Sequence, residues 1–127
     1  MRSLIISVLS LSILITIWCV FYNYSDDYLH STVNDIDNSV MIHVEDKQWK
    51  KASKEINNME KGWHKYKRTA SFFLDTESLN ETDYSFAKCN KYIKAKDVSN
   101  SAGEVNCLKE QLLFLHKNES LIWSNIF

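Results

Sequence analysis

Proline is absent from this 127-residue chain, and glycine occurs only twice, at Gly62 and Gly103. Tight hairpins lean on Gly, Asn-Gly and Pro turns, so this scarcity argues against a sheet protein and for helices joined by Asn, Asp and Ser loops. Charge is missing altogether between Ser3 and Ser25, and Lys and Arg are missing from residues 21–46. The arrangements that announce catalysis are missing too. There is no Ser-His-Asp ordering, no Gly-rich phosphate loop and no nucleophile elbow. His30, His43, His64 and His116 form no His-x-x-x-His pair and do not sit with cysteine at ligand spacing. These absences predict a non-enzyme with no cofactor and no metal.

What is present begins with an apolar run. Leu4 to Tyr22 is almost wholly apolar, about 28 Å as a helix at ~1.5 Å per residue and close to the ~30 Å hydrocarbon core of a bilayer. Trp18, Tyr22 and Tyr24 gather at its end, where amphipathic rings favour the headgroup layer. Arg2 precedes the run while Asp26 and Asp27 come after it. The positive-inside bias therefore predicts a single-pass signal-anchor over 1–22, with a cytoplasmic N-terminus and an extracytoplasmic domain over 23–127. A cleaved signal peptide is the rival reading; the bulky exit Trp18-Cys19-Val20-Phe21 does not suit a cleavage site.

The exported part has room for one small domain. Leu29, Val33, Ile36, Val40 and Val44 form one helical stripe, predicting a first helix over 23–45 that runs straight out of the membrane. The strongest periodicity comes next: Trp49, Ala52, Ile56, Met59, Trp63, Tyr66, Ala70 and Phe73 alternate in steps of three and four. That is a coiled-coil-like core seam on a helix over 47–73, with Asp46 as its cap. A third helix is predicted over 81–96, starting at Asn80 or Thr82. A fourth is predicted over 99–117, capped by Ser101 or one turn earlier by Asp97. A short apolar tail, 118–127, holds Leu121, Ile122, Trp123, Ile126 and Phe127 and is expected to pack on the bundle or on a partner. The fold class is thus all-α, an N-terminal transmembrane helix followed by a small antiparallel bundle of about four helices.

Six acidic residues in 21–46 precede a run of net plus six in 47–68. Opposed charge between two antiparallel helices is the first reading of that segregation, and contact with anionic lipid or an envelope polymer the second. Aromatic residues at core spacing on the exported side speak against nucleic acid. Cys89 and Cys107 are symmetric about residue 98, so a hairpin turning there would set them level. A disulfide would then add roughly 3 kcal/mol. Helical phase turns Cys107 away from the apolar face, which favours two free thiols.

The layout resembles the small bacterial family catalogued as domain of unknown function 4363, found mainly in Clostridia and related Firmicutes. The likeness is carried by the N-terminal anchor, by Asp46-Lys47-Gln48-Trp49-Lys50-Lys51-Ala52 and by Trp63 beyond Ile56. Tyr92-Ile93-Lys94-Ala95-Lys96-Asp97, Glu119-Ser120-Leu121 and Asn125-Ile126-Phe127 complete it. The resemblance implies fold and location and assigns no activity. The expected function is a non-enzymatic, membrane-tethered interaction or accessory module with a protein partner or a second copy of itself. The alternative is a ligand-sensing helical domain acting through a separate membrane partner, its small-molecule ligand unknown. Only Met1 to Ser3 would lie on the cytoplasmic side.

Overall fold

The computed structural model describes residues 1–126, without the side chains of Ile122, Trp123 and Ile126. It is all-helical, with no strand among the described residues. Helix α1 (Arg2–Asp35) passes through a π-helical turn (Ile36–Val40) into α2 (Met41–Glu45), making one rod of 44 residues. Helix α3 (Trp49–Ala70) returns beside the upper rod, α4 (Thr76–Lys94) rises against α3, and α5 (Val98–Ile126) descends between α4 and the rod. The result is an antiparallel four-helix bundle from which the first part of α1 projects.

The π turn has a reason in the sequence. Phe21, Ser25, Leu29, Val33, Ile36, Val40 and Val44 are all buried along the rod. Their stripe advances about 3.8 residues per turn, so an ideal α-helix of ~3.6 would rotate it off the core by about 140° between Phe21 and Val44. One wider turn, closed by Met41 N–H to the Ile36 carbonyl, takes up much of that drift and keeps Val40 and Val44 facing inward.

On α3 the seam residues Ala52, Ile56, Trp63, Tyr66 and Ala70 are buried, while Trp49, Met59 and, just beyond the helix, Phe73 are half-buried against the same core. Leu79, Phe86, Cys89 and Ile93 of α4 and Val105, Leu108, Leu112 and Leu115 of α5 complete it. Helices α2 and α4 end in the same way. Gln48 N–H bonds the His43 carbonyl and Lys47 N–H that of Val44; Asp97 N–H and Lys96 N–H do likewise to Tyr92 and Ile93. These are Schellman motifs with lysine, not glycine, in the left-handed position (φ 57° and 55°).

Several boundaries differ from the sequence reading. The junction of 1–22 with 23–45 is not one of them: the helix runs straight on as expected, because the charged residues after Tyr22 lie on the outer side of a stripe that continues inward. Gln48, without a side-chain cap bond, precedes α3, and Asp46 does not cap it. Helix α4 starts at Thr76, five residues before the expected 81, because the Asp75 carboxylate accepts the Ser78 N–H at 3.0 Å. The polar run 75–78 is a capping sequence and not a loop. Asp97 caps α5 through the Asn100 N–H, also at 3.0 Å, while Ser101 is buried. Helix α5 does not stop at Lys117. It continues to Ile126, because Glu119 falls one turn below Leu115 on the buried face. The expected packing of Ile122, Trp123, Ile126 and Phe127 lies outside the described residues.

Opposed charge does not join the rod to α3. Among the described residues no acid of 21–46 pairs with a Lys or Arg of 47–68. Asp37 instead meets Lys109 of α5 at 2.8 Å, and Lys67 pairs with Asp83 of α4. Lys50, Lys51, Lys54, Lys61, Lys65 and Arg68 stand off the seam and are exposed.

Candidate functional site

Two polar clusters tie the rod to the helices packed against it. The first is buried and joins three of them. Ser25 Oγ of α1 donates to Glu119 Oε2 of α5 at 2.8 Å and lies 2.5 Å from Tyr66 Oη of α3. Since the single Ser25 hydrogen is committed to Glu119, the Tyr66 hydroxyl must donate to Ser25. Glu119 is 1% exposed and its Oε1 has no partner. Burial pushes the Glu119 carboxyl up to about 7, with the Asp26 carboxylate adding to the shift and the Ser25 bond opposing it. Burial likewise drives the Tyr66 hydroxyl well above its ordinary range. The ring of Tyr66 is sandwiched in an aromatic run, stacked on Tyr28 at 4.4 Å and near Phe21 at 6.5 Å and Trp63 at 5.5 Å. His116 Nδ1 sits 3.2 Å from Asp26 Oδ1 without hydrogen-bond alignment. The enclosed carboxyl ties α1, α3 and α5 at one level.

The second cluster lines an open groove of about 470 Å³ where the π turn faces α3. Tyr28, Asp35 and Ser39 border it on the rod, with Glu55, Asn58 and Gly62 opposite. Ser39 Oγ donates to Glu55 Oε1 at 2.6 Å, and His43 Nδ1 lies 2.9 Å from Glu55 Oε2. Serine, histidine and a carboxylate are thus together, but the carboxylate is in the middle. A nucleophilic serine needs the imidazole next to it to take its proton. Here Glu55 separates the two, so the geometry holds α3 to the rod and does not activate Ser39. The Tyr28 hydroxyl at the groove edge has no partner.

The residues expected at the membrane interface are partly drawn into the bundle. Trp18 meets Phe73 edge-on at 5.2 Å, and Tyr24 lies 6.0 Å from Tyr66 and is exposed on its other side; Tyr22 is half-buried. The Cys89–Cys107 disulfide does not form. Cys89 is buried, Cys107 is exposed, and Cys19 is also free. The phase of α5 turns residue 107 outward from the stripe through Val105 and Leu108, so its thiol faces solvent while that of Cys89 faces the core. Among the described residues no three His, Cys, Asp or Glu side chains gather as a metal site. Sequence reasoning gave Ser25 and Glu119 no place in a site, although Glu119 figured in the family likeness; the available signal was that Glu119 continues the Leu108, Leu112, Leu115 spacing.

Fold and clusters together define a small antiparallel helical bundle carried on a long apolar N-terminal helix, with the buried Ser25, Ser85 and Glu119 each bonded across helices. The chain belongs to the family described as domain of unknown function (DUF4363), which matches residues 19–126. The match starts at the last turns of the apolar stretch and takes in the whole bundle. No curated protein and no solved structure matches the chain.

Proposed function

We propose that this chain is a non-enzymatic interaction module tethered to a bacterial cell membrane, with Leu4–Tyr22 as its single span and the bundle on the extracytoplasmic side. The continuity of the rod carries the reading. The apolar stretch and the first bundle helix are one 44-residue element, so a load on the bundle is passed to the membrane segment without a hinge. Arg2 before the stretch and Asp26 and Asp27 after it favour the stated orientation. Support for a non-enzymatic role comes from Ser39, His43, Glu55 and Glu119, each held in a bond between helices. Chemical cross-linking in intact membranes followed by affinity isolation tests the proposal. A stoichiometric partner, or a second copy of the chain, is expected; recovery of the monomer alone would overturn it.

A sensing role is the second reading, favoured by the groove beside the π turn with its unpaired Tyr28 hydroxyl. It predicts that a small polar ligand raises the melting temperature of the full-length protein, and that Gly62→Leu, which fills the groove, abolishes the rise.

A further inference from the structure

The base of the bundle and the apolar stretch overlap in height. Phe73, in the turn between α3 and α4, stacks on Phe21 at 4.2 Å and meets Trp18 at 5.2 Å. Both partners lie inside Leu4–Tyr22. The part of the rod that stands clear of the bundle, Arg2 to Ile17, is about 24 Å long, short of the ~30 Å hydrocarbon core. A bilayer whose inner edge is at Arg2 therefore reaches about 6 Å further, to the level of Phe21 and Tyr22. At that height it no longer surrounds one helix. It meets Phe73 and the neighbouring turn as well.

The surface offered there suits lipid. Phe72 is 84% exposed, the most exposed aromatic ring among the described residues with no core to fill. Thr16, Ile17, Val20 and Phe21 of α1 face Thr69 and Phe73 across an open, almost wholly apolar groove of about 520 Å³. Arg68 and Lys65, both exposed, stand one and two turns above the tip on α3, at headgroup height. Asp75 and Glu77 at the start of α4 bound the apolar tip on its other side and limit how deep it goes.

We infer that the bundle is seated on the bilayer rather than held away from it, with the turn 71–74 inserted into the acyl-chain boundary and lipid chains filling the groove between α1 and α3. The inference rests on the reading of Leu4–Tyr22 as a span. The occupant is lipid because the groove opens from the same helix face that the bilayer already covers. Insertion by about 5–10 Å is the ordinary depth for an interfacial apolar surface.

The test uses the full-length protein in phosphatidylcholine–phosphatidylglycerol vesicles, with Cys19→Ser and Cys107→Ser leaving only the buried Cys89. Nitroxide labels are placed singly through Ile13→Cys, Phe72→Cys and Gln48→Cys, at the mid-span, the turn and the far end of the bundle. Relaxation by oxygen and by a water-soluble nickel chelate reads the depth of each. The oxygen-to-nickel ratio at 72 is expected to be several-fold above that at 48 and to approach that at 13. A lipid-like 13 with a water-like 72 would overturn the seating and leave the span intact. Water-like values at both would overturn the span reading itself. Photolabelling of the unsubstituted protein with a diazirine lipid gives a variant-free check: adducts should appear on residues 69–74, and adducts confined to 4–22 would count against insertion.

Discussion

Glu119 is the residue whose chemistry the fold changes most. Its carboxyl is held at about 7 against an ordinary 4.5, chiefly by burial. The folded state therefore keeps a proton that the unfolded chain gives up near 4.5. The stabilising contribution is full below that value and is lost as pH rises through about 7, on the order of 3 kcal/mol at most. Asp26 of α1 adds a like charge, Tyr66 of α3 reaches the site through Ser25, and His116, on α5 with Glu119, faces Asp26. Thermal melts of the full chain in nanodiscs should show stability falling between pH 5 and pH 8. In Glu119→Gln, which keeps the Ser25 bond and cannot ionise, most of that fall should vanish. An unchanged profile in the variant would mean that another group titrates. In the sequence this residue fell in the short tail expected after Lys117, because a buried carboxylate is the exception that hydropathy patterns are built to ignore.

At the scale of elements, the pairing of α3 with α4 depends on Asp83. Its carboxylate accepts the indole N–H of the wholly buried Trp63 at 2.6 Å and also pairs with Lys67, which in turn donates to Asn80 at 2.9 Å. Asp83→Ala leaves the Trp63 donor buried without an acceptor and should cost about 2–3 kcal/mol. Asp83→Asn retains an acceptor and should lose about half as much. Chemical denaturation curves distinguish the two, and equal losses would show that the charge rather than the acceptor matters. The seam of α3 was legible from the sequence alone, since eight apolar residues in steps of three and four permit only a helix with one inward face. Its partner was not. Asp83 is one of many polar residues on α4, and only the approach of two helices selects it as the one opposite an indole. The π turn belongs to the same category. The stripe from Leu29 to Val44 is visible in the sequence, but its slow drift becomes a bond pattern only when both ends must face one core.

The whole molecule determines what becomes of the cysteines. Cys89 lies in the common core of the bundle, and its thiol is pushed up to about 12, first by burial and then by nearby Glu104. Cys107 is exposed on α5. A maleimide should label Cys107 within minutes in the native protein and reach Cys89 only through global unfolding. Labelling of Cys89 should thus rise with denaturant along the same curve as loss of helicity. Its early labelling would mean that α4 opens independently of the rest. Helical phase had already set residue 107 away from the apolar face, and the antiparallel hairpin brings Cys107 close enough to act on Cys89 while the two thiols stay unbonded.

Periodicity and composition are carried by the sequence itself, and by themselves they determined helices without strands, an apolar stretch of spanning length, and the inward face of each helix. These are local properties, set by the repeat of side chains along one chain and by the lack of residues that turn it sharply. Only the tertiary structure decided that the rod passes through a π turn, that α5 runs on to Ile126, that Ser25, Tyr66 and Glu119 meet, and that Phe73 reaches down to Trp18. Each of these depends on how far helices slide past one another, and helix-to-helix register is set by packing of the whole bundle, not by any one segment.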